Sequence, residues 1–363
     1  MPGLSLSPSM MAMLGGGGGA DVVAPTLSTL SPTDNATDVA VSANLVATFS
    51  ENVQFGASVA IGLFLVDDTP VQSWTQADIG AGISISGAVL TINPTAFLTQ
   101  GQEHYVTISA GSIEDLAGND FSGLAEGAWS FASFSPATMF TGGKAGVFYD
   151  TATLSSLFSD RSATPVTPAA VDGPVGTRKD LSGNNNHQIA ASDAARPTLR
   201  TAGGLYWLEG DMSDDRLIGG DISAVGASGA VFQGVSSDNV GAAVFLHRQP
   251  TSAGFWFGAA QSGSGSVAHD GAVSVTGFNV DGVAIANTRA ALFTAVASAS
   301  GATPHLFEAR GATLGSVTTF ATGFYDATFR RIRRDYGLVV ISESDLGSNQ
   351  TAVRQWFSSR MGI

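Results

Sequence analysis

An alternation of apolar and polar residues with a period of two runs through the first third of the chain. Leu45, Ala47 and Phe49 alternate with Val46, Thr48 and Ser50. This is the mark of a strand with one buried face. Ile83 and Ile85 alternate with serines, Gly87 interrupts, and Val89-Leu90-Thr91-Ile92 follows. Val106, Ile108 and Ala110 alternate with Tyr105, Thr107 and Ser109, and Trp129 and Phe131 with Ser130 and Ala132. Short alternating runs of this kind over 24–134 predict one small two-sheet sandwich.

The pattern continues more loosely beyond 137. Strands are expected at 147–149, 205–208, 242–246, 255–257, 292–297 and 306–309, with Gly and Ser clusters between them. Tyr336-Gly-Leu-Val-Val-Ile341 reads as a further strand. It leads into one helix, in which Ala352, Val353, Trp356 and Phe357 recur at helical spacing. Ser348 is its expected cap and Gly362 its expected end. The region is too long for one small sandwich and suits a jelly roll. The fold class expected is all-β, a small sandwich followed by a larger one, with one C-terminal helix.

Composition sharpens this picture. Gly contributes 45 of 363 residues and charged residues only 13%, which fits many turns and short strands. The net charge is −14, unevenly placed: residues 1–143 hold twelve Asp or Glu and no Lys or Arg, and all sixteen basic residues follow. An N-terminal part without cations is unsuited to nucleic acid. No window is apolar enough for a membrane helix. No cysteine is present, so folding needs no oxidation. The start of the chain lacks the basic and apolar regions of a secretion signal. Residues 1–23 read as a tail. Met10, Met11, Met13 and Leu14 form a short apolar peptide for docking into a larger assembly, and Gly15 to Gly19 form its hinge. Residues 135–143 read as a linker between 24–134 and 144–363.

Two resemblances add to this reading. LSPTDNATDVAVSANLVATFSENV at 30–53, the Leu-Thr-Ile-Asn-Pro at 90–94, Ile-Glu-Asp-Leu-Ala-Gly-Asn at 113–119 and Trp129-Ser-Phe131 resemble the bacterial Ig-like domains of surface-layer and adhesion proteins. That resemblance implies a spacer. Gly-Val-Phe-Tyr-Asp at 146–150, Asp-Leu-Ser-Gly-Asn at 180–184, Asn186-His187, Ala195-Arg-Pro197 and Gly-Leu-Tyr-Trp-Leu at 204–208 resemble the concanavalin-A-like, laminin-G-like jelly rolls common in bacteriophage tail and fibre proteins. That one implies binding to carbohydrate or another surface ligand, or a structural role.

Candidate chemistry is sparse. Trp256 and Tyr206 offer stacking surfaces for sugar rings, as do Trp74 and Trp207. Arg331 and Arg333 offer an anion-binding patch; the alternative is an edge strand kept soluble by charge, or pairing of the arginine run with Asp326 and Asp335. Asp211, Asp214 and Asp215 offer oxygen ligands to calcium, without a defining spacing. Asp115, Gly118 and Asn119 suit a tight turn, with calcium as the alternative. Glu209, Asp211 and Asp214 resemble the paired carboxylates of glycan hydrolases, on a segment that is not a continuous strand. There is no nucleophile elbow, phosphate loop or zinc spacing. The function expected is a non-enzymatic bacteriophage virion protein, a tail-fibre or tail-tip adhesin made in the host cytoplasm. It docks by its N-terminus on other virion proteins, associates with its own copies and binds host-surface carbohydrate. A capsid decoration protein or a secreted bacterial adhesin is the alternative.

Overall fold

The computed structural model describes residues 20–363 except 96, 212–213, 239–241, 249–255, 261–267, 270–273, 299–302 and 324–331. The chain divides into two compact units, Met1–Ala132 and Ser133–Ile363. It is all-β, with three α-helices among the described residues.

In the first unit, one sheet has the order Leu27–Ser31, Leu45–Phe49, Val89–Ile92, Ile83–Ser86. The other has the order Ala36–Val39, Ser130–Ser133, Glu103–Ile108, Ala60–Leu65, Pro70–Thr75. The alternation in the sequence fixes their faces: Leu45, Ala47 and Phe49 are buried while Val46 and Thr48 are partly exposed. They join Trp74, Leu90, Val106, Trp129 and Phe131 in one core. Trp129 donates its indole N–H to the Pro32 carbonyl at 2.8 Å, which satisfies the one polar atom of a fully buried ring. The turn at 115–119 forms as its residues suggest. Asp115 accepts from the backbone N–H groups of Ala117 and Asn119, both at 2.8 Å, and from Asn119 Nδ2 at 2.6 Å.

In the second unit the strand Ile332–Ser342 lies at the centre of a nine-stranded sheet. Gly229–Asp238 pairs with it along one edge, and Gly146–Asp150 and Leu205–Glu209 along the other. The sheet continues outward through Thr198–Ala202 on one side and through Pro304–Ala312, Gly277–Val280 and Val283–Ile285 on the other. An eight-stranded sheet includes Thr177–Arg178, Gln188–Ala190, Arg216–Gly219 and Phe320–Gly323. The sheets pack face to face: Val147, Tyr149, Val231, Leu338 and Val340 of the first share a core with Phe320 of the second. A smaller core between them joins Leu157, Val175, Ala190 and Leu217 to Leu199 and Leu208.

The other face of the nine-stranded sheet is also covered. Phe148, Trp207, Phe232, Val339 and Ile341 meet Val353, Trp356, Phe357 and Met361 of the C-terminal helix, Gln350–Met361. Leu338 and Val340 thus face the sandwich interior while Val339 and Ile341 face the helix. A strand buried on both faces reads as a continuous apolar run. Burial stabilises by roughly 1.5–3 kcal/mol for a side chain such as Val353, Phe357 or Met361. Gly337, at φ +152°, lets the strand Gly146–Asp150 lie alongside Ile332–Ser342, because a Cβ there would lie 2.6 Å from the Tyr149 carbonyl oxygen.

Three local expectations change. The expected strand at 292–297 is mostly a helix, Arg289–Val296, followed by the two-residue strand Ala297–Ser298. Leu292 and Val296, one turn apart, are its buried residues. Thr288 Oγ1 accepts from the Ala291 N–H at 3.2 Å and caps it, a signal that the apolar run obscured. Ser348 does not cap the last helix; Asn349 occupies the cap position without a side-chain bond. Ser342 instead caps the short helix Glu343–Leu346 that precedes it, by accepting from Asp345. The segment expected as a linker carries a short 3-10 turn, Pro136–Phe140. Its Met139 and Phe140 are buried in the second unit's core, so it belongs to that unit.

A buried cation spans the sandwich. Arg178, fully buried on the eight-stranded sheet, donates from Nη1 and Nη2 to the two carboxylate oxygens of Asp335 on the nine-stranded sheet, at 3.2 and 3.1 Å. Nε and Nη2 donate to Gln188 Oε1 at 2.9 and 2.6 Å. Thr151 and Thr322 hydroxyls complete the shell, and the Tyr149 ring lies 5.1 Å from the guanidinium. Removing one partner would leave a buried charge without compensation. Arg178→Met is therefore expected to lower the stability of the second unit by about 3–5 kcal/mol in urea unfolding, and the double variant Arg178→Met/Asp335→Leu to recover much of that loss.

A second prediction concerns the first unit. His104 is fully buried, stacked on Phe131 at 5.6 Å with Nδ1 3.0 Å from the Gln102 carbonyl oxygen. Burial lowers its pKa below the ordinary 6.5. The unfolded chain therefore binds the proton first, so stability is lost as pH falls through 6.5 and levels off below the folded-state value. Hydrogen exchange across 24–134 from pH 7.5 to 5 should show falling protection, and His104→Leu should flatten that slope.

Candidate ligand-binding site

The hairpin that supplies Arg178 also builds a polar recess. Thr177–Arg178 pairs with Gln188–Ala190, and residues 179–187 form the connection. Arg178 and Gln188 point inward and are bonded to each other, so the base of the hairpin is anchored inside the sandwich. Asp180 organises the loop above it. Oδ1 accepts from the N–H groups of Phe148 and Ser182, both at 3.0 Å. Oδ2 accepts from the Ser182 hydroxyl at 2.8 Å and the Asn186 N–H at 3.1 Å. Asn184 Nδ2 donates to the carbonyls of Lys144 and Gly146 at 2.9 and 3.0 Å. The Asp-x-Ser-Gly-Asn segment is thus a turn bonded to itself and to the neighbouring strand.

This framework holds Lys179, Asn185, Asn186 and His187 around a concavity of about 640 Å³, with Thr164, Val166 and Ile189 on the remaining wall. The opposite loop is fixed too, because Asp160 accepts from the N–H groups of Val166 and Thr167, both at 2.8 Å. Those bonds hold the Asp160 carboxyl below its ordinary pKa. His187 Nδ1 accepts from the Asp180 N–H at 3.2 Å, so in the neutral ring Nε2 carries the proton and donates. Burial pushes its pKa down and keeps the ring neutral, with the Lys179 charge adding to that and Asp180 opposing it. Asn186 is clamped by Nδ2 donation to the Asp221 carbonyl at 2.8 Å. Gly220 is required beside it, since a Cβ there would meet Asn186 Oδ1 at 2.6 Å. Among the described residues no carboxylate lines the recess. It is a donor-rich patch on an acidic protein.

The residues singled out from the sequence fall elsewhere. Tyr206 faces the sandwich interior and packs against the core of Leu157, Val175 and Leu208. Trp74 and Trp207 are buried, and the Arg334 guanidinium lies 4.3 Å from the Trp207 ring. Trp256 begins the strand Trp256–Ala260, whose side chains lie outside the described residues. Arg331 and the peptide Met10, Met11, Met13 and Leu14 also lie outside them. Arg333 stands 3.5 Å from Glu209, which pairs at 3.1 Å with Arg200, itself 2.7 Å from Asp172. Such half-exposed pairs are worth about 0–1 kcal/mol each. Asp335, expected beside the arginine run, instead pairs with Arg178. The signal that would have found the recess was the turn itself: a loop whose Asp and Asn are spent on the backbone leaves Lys179, Asn185 and His187 to face outward.

Asp211, Asp214 and Asp215 do converge, their carboxylate oxygens lying within 4.8 Å of one another. Asp215 is buried and accepts from the Asp211 N–H at 2.7 Å. Its pKa is pushed up to about 7, by burial first and then by the neighbouring Asp211 and Asp214 charges. Three carboxylates are a partial set for calcium, which takes 6–8 oxygens. In the first unit Asp21, Glu51 and Asp115 converge similarly, although Asp115 is committed to its turn. Calcium held by the first trio must displace the Asp215 proton. A titration should therefore show an increase in the melting temperature of the second unit with calcium, weakening as pH falls through 7 and absent in Asp215→Asn.

Residues 21–133 match the family model described as a bacterial Ig-like domain. Among solved structures, CopC from Methylosinus trichosporium OB3b is similar over 30% of this chain and 92% of its own, at 16% identity and a TM-score of 0.21. No curated protein matches the chain. Residues 21–133 are thus similar to bacterial Ig-like domains, and the second unit is a larger β-sandwich.

Proposed function

We propose that the chain is a modular, non-enzymatic binding protein of a bacteriophage particle, a tail-fibre or tail-tip adhesin. In this reading the Ig-like domain is a spacer and the second unit, a concanavalin-A-like jelly roll, presents the recess to a host-surface glycan. The peptide containing Met10, Met11, Met13 and Leu14 docks it among other virion proteins, and association with further copies raises avidity. The observation that carries the binding role is the recess itself: Lys179, Asn185, Asn186 and the His187 Nε2–H converge from a loop fixed by Asp180. Hydrogen-bond donors around a concavity match the acceptor oxygens of a saccharide. The bacterial Ig-like match favours one second reading, a bacterial surface adhesin of the same build.

A glycan array with the full chain tests the binding role. Selective binding is expected, about tenfold weaker in His187→Ala, as loss of one well-placed hydrogen bond implies. No bound glycan, or binding unchanged in both His187→Ala and Lys179→Ala, would contradict it. A gene flanked by capsid and tail genes supports the particle; one flanked by an export system supports the adhesin.

A further inference from the structure

A second concavity lies at the far side of the nine-stranded sheet. The strands Gly277–Val280 and Val283–Ile285 are joined by Asp281 and Gly282, at φ +52° and +78°. These values suit a two-residue hairpin turn with an Asp-Gly sequence. The turn reaches the start of the neighbouring strand Pro304–Ala312. Asp281 Oδ1 accepts from the Leu306 N–H at 2.8 Å, and Oδ2 lies 2.7 Å from His305 Nδ1. The carboxylate therefore fixes the ring with Nδ1–H donating, and Nε2 is left as an acceptor in the neutral form.

Across from the turn, the C-terminal helix supplies Arg354 and Ser358. Glu308, fully buried, accepts from Arg354 Nε at 2.6 Å and Nη2 at 2.9 Å, with Gln350 on the same carboxylate at 3.3 Å. Two of the three guanidinium nitrogens are thus committed. The third, Nη1, is directed toward the turn: a Cβ at Gly282 would stand 3.8 Å from it. The groove between turn and helix has a volume of about 450 Å³, with Pro304, Leu306 and Ile363 as its apolar lining.

The two charged side chains of this groove, Arg354 and Asp281, each have a partner in the fold. Arg354 is neutralised by Glu308, and the His305 ring is bound to Asp281. With the ring neutral the Asp281 carboxylate keeps its charge, and beside it stands a set of fixed hydrogen-bonding atoms. In the neutral ring His305 Nε2 accepts, Arg354 Nη1 donates, and the Ser358 hydroxyl does both. An anionic ligand would confront Asp281, and a cationic one Arg354. A pair of adjacent hydroxyls needs donors and acceptors side by side, against an apolar lining for its C–H face.

We propose that this groove is a second ligand site, separate from the recess, and that it takes an uncharged saccharide through a vicinal diol. It would share the task of holding a surface glycan from another part of the sandwich and add to avidity. The site follows from the groove alone and does not require the recess to bind anything.

The test uses the full chain labelled at its five histidines, titrated separately with methyl hexopyranosides, N-acetylneuraminic acid and inorganic phosphate. Neutral hexosides are expected to shift the His305 imidazole signals saturably, whether or not His187 also responds. Ser358→Ala should weaken that binding about tenfold, the loss of one good hydrogen bond. Arg354→Gln/Glu308→Gln, which keeps the helix contact uncharged, should weaken it comparably with the melting temperature followed alongside. A His305 shift from the two anions but not from hexosides would overturn the neutral-diol assignment. Hexosides that shift His187 alone would place saccharide binding in the recess and overturn the second site. No shift from any of the three would overturn the groove as a saccharide site and leave the recess to stand on its own result.

Discussion

One buried ion pair joins the two sheets of the second unit. Two large sheets can slide or splay if only apolar side chains meet between them, because hydrophobic contact is non-directional. Arg178 and Asp335 set a register instead. The guanidinium can meet the carboxylate through two nitrogens, Gln188 and two threonine hydroxyls only when the strands at 177–178, 188–190, 320–323 and 332–342 stand in one arrangement. Asp335 is held in turn by the Gly337 N–H at 2.9 Å. The pair joins the strand at the centre of one sheet to the hairpin of the other.

That hairpin links the fold to the recess. Its inward residues anchor it, and its connecting loop carries the groups that face outward. The alternation along Arg178, Lys179 and Asp180 assigns three roles in three residues: a cation for the interior, a cation for the surface and a carboxylate for the loop. The C-terminal helix does comparable work on the opposite side. Its apolar face seals the nine-stranded sheet, while Arg354 reaches the buried Glu308 and Arg360 the buried Asp150 at 2.6 Å. In both places a charge committed to the interior fixes the backbone from which a polar surface is presented.

The sequence showed the strands and their faces well where burial is one-sided, as at 45–49 and 83–92, because the period of two is then unbroken. It also showed the doubly buried strand at 336–341 as a continuous apolar run. It misleads at 292–297, where an apolar run suggests a strand although Leu292 and Val296 stand at helical spacing. The candidate site was less legible. Aromatics and arginines were the conspicuous residues, yet Trp74 and Trp207 are buried, Tyr206 faces the interior and Arg333 stands against Glu209. The groups that line the recess are Lys179, Asn185, Asn186 and His187, set in a turn whose Asp-x-Ser-Gly-Asn pattern marks the loop but does not say which of its polar side chains face outward. Only the bonds of Asp180 settle which do.

Native-state hydrogen exchange on Arg178→Met, compared with the unchanged chain, bears most directly on this account. If the buried pair couples the sheets, protection should fall together in 177–190 of one sheet and in 332–342 of the other, with the recess loop losing order although none of its residues is altered. Loss confined to 177–190, with 332–342 protected as before, would show that the sheets hold their register without the pair and would contradict the account.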